Sequence, residues 1–193
     1  MITKLIASVT LLFLLMNLHA QDIPSLNSEH FEYEASEAYP YGRMNPNAPN
    51  ETTQFNFMVG ECDCIDSIKN PADGQWYVFK SIWNAKFVLN GQAIQDIGWN
   101  PIFSVSSMRM YNISKKVWEV TFFKMPQPQS GKWTGRKEGE NMVMRQKTSN
   151  GGVDGESRLT FYDIRSRGFK WKSEFFGDDG SYSSSWWISC TKR

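Results

Sequence analysis

The side chains of this 193-residue chain best suited to chemistry are aromatic and cationic: Trp83, Trp99, Trp118, Trp133, Trp171, Trp186 and Trp187, with Arg109, Arg145 and Arg158. Tryptophan brings a large apolar surface and a single N–H donor, which suits the wall of a cavity for a small molecule, although it fills a core equally well. Trp83, Trp99, Trp118 and Trp171 are therefore candidate ligand contacts, together with Arg109, Tyr111 and Arg158. An arginine drawn inside a fold must be paired, so Arg109 and Arg158 each need a ligand carboxylate or an internal acid such as Glu174 or Asp96. If the chain runs a reaction, those residues define it: Glu174 or Asp96 moves a proton while Tyr111 or Tyr162 donates a hydrogen bond.

Other chemistries lack their parts. Apart from His19 near the N-terminus, His30 is the only histidine, so a Ser-His-Asp or Cys-His relay has no base at hand. The chain has no Gly-rich phosphate loop, no CxxC and no HExxH. One remote histidine does not complete a zinc site around Cys62, Cys64 and Cys190, nor does it hold a haem, so no metal and no cofactor is expected. Asn50-Glu51-Thr52 and Asn112-Ile113-Ser114 match the glycosylation pattern, but such short matches arise by chance.

The first twenty residues place Lys4 before an apolar run from Leu5 to Leu15 and end on the small Ala20, the plan of a secretory signal peptide cut after Ala20. The run is too short to span a bilayer, so a periplasmic or secreted protein without a membrane span is expected. Removing this segment leaves 173 residues, one domain's worth, with 20 Lys and Arg against 20 Asp and Glu. That balance, with the cations spread along the chain, argues against nucleic acid as a partner. Nothing in the pattern fixes an oligomeric state.

The elements that must position the candidate residues are strands. Residues 21–54 are polar and dotted with Pro24, Pro40, Pro46 and Pro49, an irregular lead-in with one helical turn around 28–38 that is placed to cover one barrel mouth. From Phe55 onward, runs rich in Val, Ile, Phe, Trp, Thr and Tyr recur between turn residues. They predict strands over 55–65, 75–89, 92–99, 105–112, 116–124, 131–137, 141–148, 156–164, 168–176 and 181–191. Leu89-Asn90-Gly91-Gln92 is a hairpin signal, and several other links are as short. Short links make successive strands antiparallel neighbours, and an all-β, up-and-down barrel of eight to ten strands over 55–193 is the simplest way to remove open edges.

Alternation sets the faces. Trp118, Val120 and Phe122 share one side of a strand against Glu119 and Thr121. Phe169, Trp171, Ser173 and Phe175 oppose Lys170, Lys172 and Glu174, and Tyr182, Trp186 and Ile188 lie on the side of Cys190. Cys62 and Cys64, two apart on one face, would strain a strand by bonding to each other, so one of them is expected to bridge to Cys190. Cys64 is the first choice and Cys62 the alternative.

Several short motifs resemble a large bacterial family of unknown function, secreted and built on a lipocalin-like or calycin-like barrel. Its opening F-x-F-hydrophobic-x-G-x-W-D pattern is matched by Phe55-Asn56-Phe57-Met58-Val59-Gly60-Glu61, with Cys62 in place of the Trp and Asp63 in place. Leu89-Asn90-Gly91, Gln95-Asp96, Ser107-Met108-Arg109-Met110-Tyr111-Asn112 and Lys115-Lys116-Val117-Trp118 follow in order. Arg158-Leu159-Thr160-Phe161, Phe169-Lys170-Trp171, Glu174 and Asp178-Asp179-Gly180 complete the series, which spans 55–188. The resemblance implies the barrel and no particular activity, since such barrels serve binding proteins and enzymes alike.

The leading expectation is an exported barrel that binds a small apolar or amphipathic molecule. The alternatives are an isomerase, cyclase or hydratase using an internal carboxylate, and a structural or accessory protein whose barrel is filled by its own side chains.

Overall fold

The structure, a computed structural model, describes residues 31–193. The chain divides into two units, residues 1–32 and 33–193, and the fold below is that of the second. The signal segment, the cut after Ala20 and His30 lie outside the described residues.

Ten antiparallel strands form a closed barrel: β1 (Gly60–Lys69), β2 (Trp76–Val88), β3 (Ala93–Trp99), β4 (Ser104–Asn112), β5 (Val117–Met125), β6 (Gln129–Glu138), β7 (Asn141–Asn150), β8 (Val153–Arg165), β9 (Gly168–Gly177) and β10 (Tyr182–Lys192). Each pairs with its sequence neighbours, and β1 meets β10 at the seam. The strands alternate because each has one face in the barrel and one outside. In β1 Cys62, Cys64 and Asp66 are buried while Asp63 and Ile65 are exposed, and in β5 Trp118 and Val120 are buried. Among the tight links, Leu89, Asn90 and Gly91 all take positive φ, of 54°, 53° and 75°. A Cβ on Gly91 would lie 2.3 Å from the Arg43 carbonyl oxygen, so glycine there lets the lead-in pass against the β2–β3 hairpin. Asn45 N–H donates to the Gly91 carbonyl at 3.1 Å and completes that contact.

One expected strand start is corrected. Residues 55–58, read as the opening of the first strand, belong to a 3-10 helix, Asn50–Met58. The Phe-x-Phe alternation imitates a strand, but the fully buried positions Thr52, Phe55 and Met58 are spaced by three, one turn of a 3-10 helix. This helix closes the barrel end where β5 and β9 begin. Phe55 stands edge-on to Trp118 at 4.8 Å and to Phe161 at 5.6 Å, and Phe57 lies 5.2 Å from Phe169. The Trp118 Nε1–H donates to Gln54 Oε1 at 3.0 Å.

At the seam Cys64 and Cys190 are directly opposed and joined as a disulfide, while Cys62, opposite Lys192, is a buried free thiol. Register decides between the two cysteines: only Cys64 faces Cys190. The bridge spans 126 residues of sequence. By loop-closure entropy, replacing Cys64 and Cys190 together by Ser should cost about 4 to 5 kcal/mol, read as a lower urea midpoint, and dithiothreitol should lower the wild-type midpoint similarly.

Candidate functional site

The interior is filled at the helix-capped end and hollow towards the other. A cavity of about 250 Å³ occupies the open half. Its wall is mostly apolar, with Trp83, Phe122, Trp133, Leu159, Phe161, Trp171 and Trp186 among its larger side chains. Four ionisable groups line it: Asp66 from β1, Asp96 from β3, Arg109 from β4 and Lys124 from β5.

Asp96 and Arg109 form a buried ion pair, with side-chain exposures of 4% and 6%. Arg109 Nη1 donates to Asp96 Oδ1 at 2.7 Å, and Trp83 Nε1 donates to Asp96 Oδ2 at 2.8 Å, so both carboxylate oxygens are engaged. The guanidinium carbon also sits 5.3 Å from the Phe55 ring centre and 5.7 Å from that of Phe161, within cation–π range. The pair thus joins the helical cap to the cavity wall. Arg109 Nε is buried and has no hydrogen-bond partner among the described residues.

Asp66 is 1% exposed. Ser81 Oγ donates to its Oδ1 at 2.7 Å and Asn100 Nδ2 to its Oδ2 at 3.2 Å. Burial pushes its carboxyl above the ordinary carboxylate value, and the donors from Ser81, Asn100 and Trp186 pull part of the way back. The Trp186 indole acts on that carboxylate without closing a hydrogen bond of normal geometry. Lys124 extends the inward row Trp118, Val120, Phe122 by one more step of two, close to the open end. Its Nζ lies 4.4 Å from the Phe103 ring centre, and it has no carboxylate partner among the described residues.

Of the residues singled out from sequence, Trp83, Asp96, Arg109 and Trp171 come together on the cavity wall. Trp118 and Tyr111 also point inward, 5.6 Å apart, but lie under the helical cap and outside the cavity. Trp99 alternates with the inward Gly98, is 46% exposed and meets the cavity only at its rim. Arg158 and Glu174 are cross-strand partners on the outer wall, because their neighbours Leu159 and Ser173 take the inward face. There Arg158 Nη2 bonds Glu156 at 3.0 Å and stacks on Phe176, and Glu174 accepts from Lys172 Nζ and the Tyr182 hydroxyl. Neither can act inside the barrel, so an expectation of Arg158 or Glu174 as internal groups does not fit this register. Lining residues outside the expected contacts include Asp66, Lys124, Trp133 and Trp186. The first two were marked by period two alone, Asp66 lying two beyond Cys64 and Lys124 two beyond Phe122.

No protein-family model matches the chain, and a search of curated proteins finds no match. Among solved structures, an S-type phycobiliprotein lyase from Guillardia theta is similar, with a TM-score of 0.46 and 13% identity, covering 75% of this chain and 98% of that one. At that level of likeness the site is read from its own geometry.

Two expectations follow from the buried charges. Arg109→Met strands the Asp96 carboxylate and should cost about 3 to 5 kcal/mol in urea denaturation, with Asp96→Asn in the same chain recovering part of the loss. For Asp66, folding favours the protonated acid. Its stabilisation is complete below pH 3.8, the ordinary value, and is lost as pH rises through the raised one. Asp66→Asn, which cannot ionise, should therefore gain on the wild type between pH 4 and pH 8. A gap in urea midpoints that stays constant over that range would rule out Asp66 as a destabilising buried anion.

Proposed function

We propose that the protein is an exported binding barrel that holds a small apolar or amphipathic molecule in the open half of its interior. The observation that carries this reading is the cavity itself: an aromatic wall with a few placed polar groups, open at one end and stopped by the 3-10 helix at the other. Its volume, about 250 Å³, lies just below the usual range for ligand pockets, which favours a compact ligand. Export to the periplasm or beyond is proposed on the N-terminal signal pattern, with support from the Cys64–Cys190 bridge, since disulfides persist in oxidising compartments. The bacterial barrel family whose motifs the chain resembles is consistent with both proposals.

The alternatives fit less well. Proton transfer by the expected acids is disfavoured because Glu174 is on the outer wall and both oxygens of Asp96 are engaged. A barrel filled by its own side chains is disfavoured by the open cavity.

Native mass spectrometry of the protein purified from its own host, followed by solvent extraction, should reveal one small molecule per chain. Refilling the emptied protein should change the emission of the wall tryptophans Trp83, Trp133, Trp171 and Trp186. An empty protein whose fluorescence ignores lipids and aromatic acids alike would overturn the binding reading in favour of a structural or partner-binding role.

A further inference from the structure

The cavity's charged groups leave one cation unmatched, and this narrows the ligand that the binding reading calls for. Of the four ionisable side chains on the wall, Asp96 and Arg109 neutralise each other. Both oxygens of Asp96 and both of Asp66 already accept hydrogen bonds. What remains is the Lys124 ammonium, which among the described residues contacts only the Phe103 ring, whereas Arg109 Nε and Trp186 Nε1 are enclosed by protein and closed off from the cavity. A donor left without an acceptor in a low-dielectric site costs free energy that a bound acceptor returns. Lys124 stands one residue from the end of β5, and Gln129, its partner across the β5–β6 ladder, also lines the cavity. A cation and an amide therefore face each other near the mouth, with the tryptophan wall beyond them.

We propose that the cavity takes an organic monoanion: an aromatic or aliphatic body lying against Trp133 and Trp171, with a carboxylate-type head group at Lys124 near the open end. The proposal rests on the binding reading and gives it a ligand class. Amines are disfavoured because both wall carboxylates are already engaged and the wall already carries one unmatched cation. The wall carboxylates oppose the anion little, since Arg109 neutralises Asp96 and burial favours the neutral form of Asp66.

The test uses three probes with one body and different heads, 2-naphthoate, 2-naphthylmethanol and 2-naphthylmethylammonium, titrated into the emptied full-length protein by calorimetry at low salt. Naphthoate should bind about tenfold more tightly than the alcohol, as expected of one charge-assisted contact, and the ammonium should bind worst. Lys124→Met should bring the ratio of acid to alcohol affinity close to one, Lys124→Arg should keep it, and Lys80→Met, on the exposed outer face of β2, should leave it unchanged. Urea midpoints of the variants show that each is folded. Equal binding of naphthoate and alcohol to the wild type would overturn the anion proposal while leaving the binding barrel standing. Failure of all three probes to bind would overturn both, and an undiminished acid preference in Lys124→Met would remove Lys124 as its seat.

Discussion

A guanidinium enclosed in a β-barrel needs an anion beside it, and in this protein that need organises the interior. Arg109 lies on β4, Asp96 on β3, and Trp83, which donates to the same carboxylate, on β2. The face of the guanidinium is covered by Phe55 of the 3-10 helix and by Phe161 of β8. One polar contact thus ties three neighbouring strands to the cap and to the far wall. Such a pair contributes little net stability when intact, because both ions have been taken out of water, but breaking it leaves a buried charge. Its effect is to fix where the filled part of the barrel ends and where the hollow part begins.

The two ends are filled by different means. At the capped end, rings pack edge to face, and inward glycines give them room: Gly135 sits opposite both Trp118 and Met144, and a Cβ there would fall 2.2 Å from the Val143 carbonyl oxygen. Towards the open end the inward residues are still large, yet the cap does not reach them, and their rings line a space in place of filling it. Closure of the wall depends on the β1–β10 seam, where the disulfide joins strands 126 residues apart in sequence.

Much of this was legible in the sequence, because a strand declares its two faces by alternation. The strand runs and the hairpin at Leu89-Asn90-Gly91 follow from composition and turn residues, and the inward row Trp118, Val120, Phe122 and a cysteine bridge from first strand to last follow from period-two reading. The start of the first strand was misleading because Phe55 and Phe57 alternate, while the burial that matters falls on Thr52, Phe55 and Met58. In β8 polar and apolar groups share both faces, with Thr160 buried beside Arg158, so composition did not say which face turned in. In β9 the alternation already set Glu174 against the apolar row Phe169, Trp171, Phe175, and an internal acid there ran against that pattern. Asp66 and Lys124 were passed over for the opposite reason: charged residues on an inward face run against the rule that interiors are apolar, and their meaning emerges only when the cavity is seen.

The 3-10 helix has a consequence for traffic. A barrel stopped at one end has a single doorway, framed by the links β1–β2, β3–β4, β5–β6, β7–β8 and β9–β10. Whatever enters must leave the same way, in reverse order, with the part that went in first coming out last. Transit through the barrel is therefore ruled out by its plumbing. Any passage between the cavity and solvent runs past that mouth and not past the rings packed at the capped end.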